Sequence, residues 1–228
     1  MLLFLLQLSI ANPNISWLKR QGYPSSSLLP NTLSTEQKEE FLSKTHAYLM
    51  QKFATTSFRC MNGSALHFPF SKSKNTELQK TYAIETKVCI PNFSLKKASQ
   101  LYMDPIFRTH HMSGVSKATK TKNEICVTSD SFVCLIKAAH FCLTALERSF
   151  PDGLLIYSYL SKNRRDREYQ PVYFQEEFIY FQQIGSDVLI HRVSVNRSRE
   201  LGSAGEYVLR QKLQEYPSNM ISSMKGQP

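Results

Sequence analysis

Six histidines and five cysteines are the side chains best suited to metal binding or nucleophilic chemistry in this 228-residue chain. The histidines are His46, His67, His110, His111, His140 and His191. A zinc or iron site needs two or more such ligands at helical or strand spacing, joined by carboxylates or thiolates. His110 and His111 are adjacent, so their side chains diverge, and no HExxH, DxDxDG or HxE-with-CxxC pattern occurs. The cysteines stand at 60, 89, 126, 134 and 142, and no two form a CxxC pair. Their odd number argues against a complete disulfide framework, so most of these thiols are expected to be small buried hydrophobes. His140 and Cys142 lie close together, but on a helix residues two apart face different sides. Core packing is the simpler reading of that pair.

The other chemistries that residue spacing can announce are also missing. No GxGxxG, GxxxxGKS or GxSxG is present, and eight glycines leave little material for loops that cradle phosphate. Glu176-Glu177 is a carboxylate pair, but on a strand neighbouring residues face opposite sides and cannot converge on one bond. One of the two is expected to face solvent and the other to cap or pair. Asp152 before Gly153 reads as a turn rather than a base. The chain is therefore expected to be non-catalytic, with no metal and no cofactor.

Basic residues number 28 against 18 acidic, a net charge of +10. Such an excess favours an anionic partner when clustered and mainly solubility when scattered. The densest group is Lys162, Arg164, Arg165 and Arg167, placed by the pattern in a loop between two strands. These four are the candidate contact with an anionic membrane or other anion. Tyr157, Tyr159 and Tyr169 stand nearby, but the first two belong to a strand, so nucleic-acid contact through base stacking is disfavoured.

The elements that position these residues are legible in part. Met1–Ala11 is an apolar run, and residues 12–33, with three prolines and Ser25-Ser26-Ser27, read as a linker. The run is too short to span a bilayer. A cytoplasmic location is expected, with secretion open if Met1–Ala11 acts as a signal; the Asn-x-Ser sequons at Asn14, Asn62, Asn92 and Asn196 add little. Ser34 with Gln37 fits a capping box opening a helix over 35–54, with Phe41, Leu42, Thr45, Tyr48, Leu49 and Phe53 on one face. Residues 55–80 are polar and broken, with Ser71-Lys72-Ser73-Lys74 read as a solvated run. Residues 82–90 alternate as a strand, Pro91-Asn92 stops it, and Ser94 caps a short helix carrying Leu95, Ala98, Leu101 and Tyr102 to the Asp104-Pro105 stop. Ile125–Val127 reads as a strand. Residues 131–148 show helical spacing and predict an amphipathic helix, although their β-rich start also suits a buried strand. Strands follow at 154–160, 172–181 and 188–195, with Gly185-Ser186 as a hairpin turn. A last helix is predicted at 205–216, stopped by Pro217; its Leu209, Leu213 and Tyr216 share one face that would meet the sheet or a cavity.

The order implies an α+β fold: an antiparallel sheet with an N-terminal helix and a C-terminal helix packed on it. Residues 34–217 are expected to form one domain, with 1–33 as an apolar arm and linker and 218–228 as a flexible tail. The stretch from Tyr82 to Asp104 (strand, turn, small helix, closing acidic residue) resembles the opening of START-like, helix-grip domains. Pro171 to Val195 resembles the penultimate hairpin of that family. The resemblance covers roughly residues 81–200 plus the last helix. It implies a sheet gripping a helix around an apolar cavity that binds a lipid or similar ligand, without carrying over any binding residue. Fourteen Phe and eleven Tyr would line such a cavity or fill a solid core. The filled-core alternative is a protein-interaction or scaffolding domain with an unknown protein partner.

Overall fold

The computed structural model describes residues 33–54, 65–67, 71–76, 79–111, 115–121, 124–130, 137–163, 168–169, 172–199 and 202–226. The chain divides into two compact units, residues 1–57 and 58–228. In the first, helix α1 (Thr35–Ala54) starts as the spacing predicts. The Ser34 amide donates to Gln37 Oε1 at 2.9 Å and the Gln37 amide donates to Ser34 Oγ at 3.2 Å, the reciprocal capping box. Phe41, Leu42, Thr45 and Leu49 are buried along one stripe. The buried Thr45 hydroxyl is satisfied by donating to the Phe41 carbonyl one turn back, at 2.8 Å.

The second unit is one curled, wholly antiparallel sheet of nine strands among the described residues. They are β1 (Ala65–His67), β2 (Ser71–Thr76), β3 (Gln79–Ile90), β4 (Val115–Lys120), β5 (Glu124–Ser129), β6 (His140–Phe150), β7 (Gly153–Asn163), β8 (Val172–Ile184) and β9 (Asp187–Arg199). The spatial order is β1-β3-β9-β8-β7-β6-β5-β4, with β2 also on β3. The first long strand thus pairs with the last, Ile90 opposite Val188 and Thr86 opposite Arg192. Between β3 and β4 lie two short helices, α2 (Leu95–Tyr102) and α3 (Pro105–His111), and α4 (Ser203–Lys225) closes the chain.

Local chemistry explains the entry to α2. Asn92 takes a positive φ of 51°, which asparagine tolerates, and Ser94 Oγ accepts from the Lys97 amide. Gln183 on β8 then ties this turn to the β8–β9 hairpin: its Oε1 accepts from the Leu95 amide at 2.9 Å and its Nε2 donates to the Asp187 carbonyl at 3.0 Å. The hairpin turns at Gly185-Ser186 as expected, with Gly185 at φ 61°. Asp104-Pro105 ends α2 and also begins α3. Proline suits the first helical position, and Asp104 Oδ1 accepts from the Ile106 amide at 2.7 Å. Asp152 serves a turn as expected, accepting from Gln182 Nε2 at 3.0 Å. Gly153 after it is required: a Cβ there would stand 2.1 Å from the Phe181 carbonyl oxygen and 2.7 Å from the Tyr180 hydroxyl.

Four expectations change. Residues 140–150 are strand β6, not helix, with residues 131–136 outside the described set. The reason is pairing on both edges, Cys142 opposite Cys126 on β5 and Leu146 opposite Tyr157 on β7. The run at Ser71 is strand β2, whose polar side chains do not prevent its backbone from pairing with β3. Pro217 does not stop the last helix, which continues to Lys225 and buries Met220, Ile221 and Met224; residues 218–225 are thus helix rather than tail. The cysteines are not all thiols: Cys126 and Cys142 form a disulfide across β5 and β6, and Cys89 is also disulfide-bonded.

Val88, Ile90, Ile156, Ile179, Phe181, Val188 and Ile190 from the sheet pack with Tyr102 and Met103 of the α2 end, Phe107 of α3, and Met220, Ile221 and Met224 of α4. No helix among the described residues is long and apolar enough to cross a membrane, which says nothing of strands.

Candidate functional site

The register sets three consecutive rows across the helix-side face of the sheet. The row nearest the β8–β9 turn is Val88, Ile190, Phe181 and Leu154. Two residues further along each strand it is Thr86, Arg192, Ile179 and Ile156, and two further still Ile84, Ser194, Glu177 and Ser158. Pleating brings residues two apart to one face. Across β9, β8 and β7 this face therefore passes from apolar to polar over about two steps of roughly 7 Å, while β3 keeps an apolar residue, Ile84, at the polar end. Thr86, Arg192, Glu177, Ser158 and Ser194 are nonetheless all buried.

The polar end is organised around Glu177, 2% exposed. The Arg192 guanidinium donates through Nε to Glu177 Oε1, and the Tyr102 hydroxyl donates to Glu177 Oε2 at 2.5 Å. Arg108 on α3, 1% exposed, lies with its guanidinium carbon 4.5 Å from the centre of the Tyr102 ring. Its Nε donates to the Tyr102 carbonyl at 3.0 Å. Burial alone would push the Glu177 carboxyl up; the charges of Arg192 and Arg108 and the bonds from Tyr102 and Arg192 outweigh it and hold it below the usual carboxylate range. Arg108 Nη2 and Thr86 Oγ1 are buried with no hydrogen-bond partner.

Glu176 faces the other side, as strand geometry requires, and is half-buried rather than fully in solvent. It accepts from the Tyr157 hydroxyl at 2.7 Å. Tyr157 is stacked between Phe178, centroid distance 4.8 Å, and Tyr159, 5.7 Å. Burial pushes the Glu176 carboxyl up to about 7, opposed by the Tyr157 bond. A carboxyl whose folded pKa is raised from 4.5 to about 7 stabilises the fold fully below pH 4.5 and loses that contribution as pH rises through 7. Glu176→Gln is therefore expected to flatten the fall in stability between pH 5 and 8, worth up to roughly 3 kcal/mol, in urea titrations. A variant that retains the wild-type slope would place the titration elsewhere.

The residues singled out from sequence fare differently. Lys162 lies within β7 rather than in a loop, and its Nζ pairs with Glu124 at 2.7 Å, while Ser161 Oγ donates to Glu124 Oε1 at 2.8 Å. Arg164, Arg165 and Arg167 lie outside the described residues. Leu209, Leu213 and Tyr216 lie on α4, their side chains outside the described set. His140 and Cys142 share a face of β6 because the segment is strand, but Cys142 is bonded to Cys126 and His140 Nδ1 is 2.9 Å from Thr128 Oγ1. Among the described residues no three His, Cys, Asp or Glu side chains gather to hold a metal ion. Sequence reading missed the Glu177–Arg192–Tyr102–Arg108 cluster. Its signal is a charged residue at a core position: Arg192 alternates with Ile190, and Glu177 with Ile179.

No known family and no curated protein matches this chain in sequence. Solved structures do match in fold. The human StAR-related lipid transfer protein 5 aligns over 83% of this chain and 96% of its own, with a TM-score of 0.51 and 8% identity. A fragment (25-204) of the STAR-related lipid transfer protein from Xanthomonas axonopodis aligns over 68% of this chain and 96% of its own, with a TM-score of 0.50 and 10% identity. Like them, this chain sets helices on a curled antiparallel sheet, and its fold is the START-like helix grip.

Proposed function

We propose that residues 58–228 bind a lipid or other apolar ligand between sheet and helices and perform no covalent chemistry on it. The observation that carries this reading is the graded helix-side face, apolar at the β8–β9 turn and carrying the buried Ser194, Glu177 and Ser158 two rows away on β9, β8 and β7. An amphipathic molecule has that same grading. The covering side chains support exchange of a ligand, since Met103, Met220 and Met224 are flexible thioethers that repack at little cost. The two similar proteins described above are named for lipid transfer, and the fold is compatible with that use. The Cys126–Cys142 disulfide favours the secretory alternative for location, because such bonds persist where the surroundings oxidise.

The full chain, stripped of lipid and incubated with a total lipid extract, is expected to retain a one-to-one adduct in native mass spectrometry. The bound species at about 100 times its Kd should add about 2.7 kcal/mol of stability. That is a rise in Tm of roughly 5 to 10 °C for a domain of this size. A chain that takes up no lipid and melts at the same temperature with and without extract would defeat the reading.

A further inference from the structure

The structure assigns an N-linked glycan to Asn92, in the turn between β3 and α2. The inference is independent of what the domain holds between sheet and helices. Asn92-Phe93-Ser94 is an acceptor sequon with no proline at its middle position. In the transfer, the anomeric carbon of a polyprenyl-diphosphate-linked oligosaccharide bonds to Asn92 Nδ2. Its bond to the diphosphate oxygen breaks, the amide gives up one proton, and polyprenyl diphosphate leaves. The carbohydrate then stays on the folded domain, so the acceptor must stand at the surface, in a segment that does not need its side-chain amide.

Asn92 meets both conditions. It is exposed, as is Ser94, while Phe93 between them is half-buried. The bonds that hold the turn come from backbone amides: Asn92 donates to Asp187 Oδ1 at 3.0 Å, Phe93 to the Ser186 carbonyl at 3.0 Å and Leu95 to Gln183 Oε1 at 2.9 Å. At a φ of 51° glycine is the residue that costs least, so backbone conformation alone does not call for asparagine here. Asn196, by contrast, lies inside β9, paired with Tyr82 on β3 and Gln175 on β8. Asn14 and Asn62 lie outside the described residues. The cysteines point to the compartment in which sequons are read. Cys126–Cys142 and the separate bond at Cys89 are two disulfides, and disulfides persist where the surroundings oxidise. Ser94 has a second role, since its Oγ accepts from the Lys97 amide at 3.2 Å and caps α2. The two roles are separable: any short side-chain oxygen can cap, whereas the sequon needs a hydroxyl.

The test reads the tryptic peptide that begins at Val88, after reduction, in the protein captured from the cells that make it. Most copies are expected to give this peptide only after treatment with peptide N-glycosidase, which leaves aspartate at position 92, and the intact protein should lose the mass of a glycan. The full chain sent through the secretory pathway of cultured eukaryotic cells separates acceptor from fold. Asn92→Gly, which suits the positive φ, and Ser94→Asp, which keeps the cap, should each abolish modification at this site. Ser94→Thr keeps both the cap and the hydroxyl and should leave the site modified. A Val88 peptide recovered from the captured protein mostly with unmodified asparagine, without the glycosidase, overturns the inference. So does modification in the cultured cells alone, which would describe a competent sequon that the natural chain never presents to the transferase. A wild-type chain that passes through the pathway with Asn92 bare, or a Ser94→Asp chain still glycosylated there, overturns it as well. Failure of the lipid-stripped chain to take up lipid defeats the apolar-ligand reading and leaves the glycan standing.

Discussion

Arg192→Leu is expected to destabilise residues 58–228 by about 3 to 5 kcal/mol at pH 7, read as a lower urea midpoint with an unchanged slope. Glu177 is 2% exposed, so the substitution leaves a carboxylate that cannot turn to water. Arg108 and Tyr102 remain beside it and soften the loss without replacing the direct pair. The pH dependence should change sign. In the wild type the Glu177 carboxyl is held below its usual range, so its contribution is complete above pH 4.5 and is lost as pH falls below that value. Without Arg192, burial, already the largest single influence, is opposed only by Arg108 and Tyr102, and the folded pKa rises. The variant then regains stability on acidification, when Glu177 is protonated. Glu177→Leu combined with Arg192→Leu should recover only part of the single-variant loss, since it removes both charges of the pair but leaves the buried Arg108 without its neighbouring carboxylate. A cost below about 1 kcal/mol for Arg192→Leu alone would mean that water reaches the pair after all.

Removing the Cys126–Cys142 bond should cost about 3 kcal/mol, the loop-closure value for residues 16 apart. The two cysteines face each other directly on β5 and β6, so the bond clamps the inner of the two strands that end the sheet at β4. Thermal melts of Cys126→Ala/Cys142→Ala against wild type isolate this bond. A reducing agent acts on the Cys89 disulfide as well and should lower Tm further. Cys142 is buried, so the double variant also leaves a small packing defect; serine in place of alanine would add an unsatisfied hydroxyl and confuse the comparison. Identical melts for the variant and the wild type would show that the bond closes no loop that matters to stability.

What the sequence determined by itself was whatever is decided within a few residues. The capping box at Ser34 and Gln37, the Ser94 cap and the turn at Gly185-Ser186 each involve groups no more than four positions apart, so residue type is enough. The alternation over residues 82–90 belongs to the same class, and with the run of late strands it was sufficient for the α+β class and the helix-grip resemblance. Tertiary structure decided the rest, because the deciding partner lies far along the chain. Residues 140–150 have helical spacing, but hydrogen bonding to β5 on one edge and β7 on the other outweighs a weak local preference. Pro217 lacks an amide proton, yet the buried Met220, Ile221 and Met224 beyond it stabilise the continued helix by more than one missing bond costs. Glu177 and Arg192 are 15 residues apart and meet only because β8 and β9 pair diagonally in this register, while Tyr102 reaches the same carboxylate from 75 residues away. The alternation with Ile179 and Ile190 marks Glu177 and Arg192 as charges at core positions, but it does not say what meets them; it is the register of the sheet that brings the two together, and the packing of α2 and α3 that brings Tyr102 and Arg108 to them.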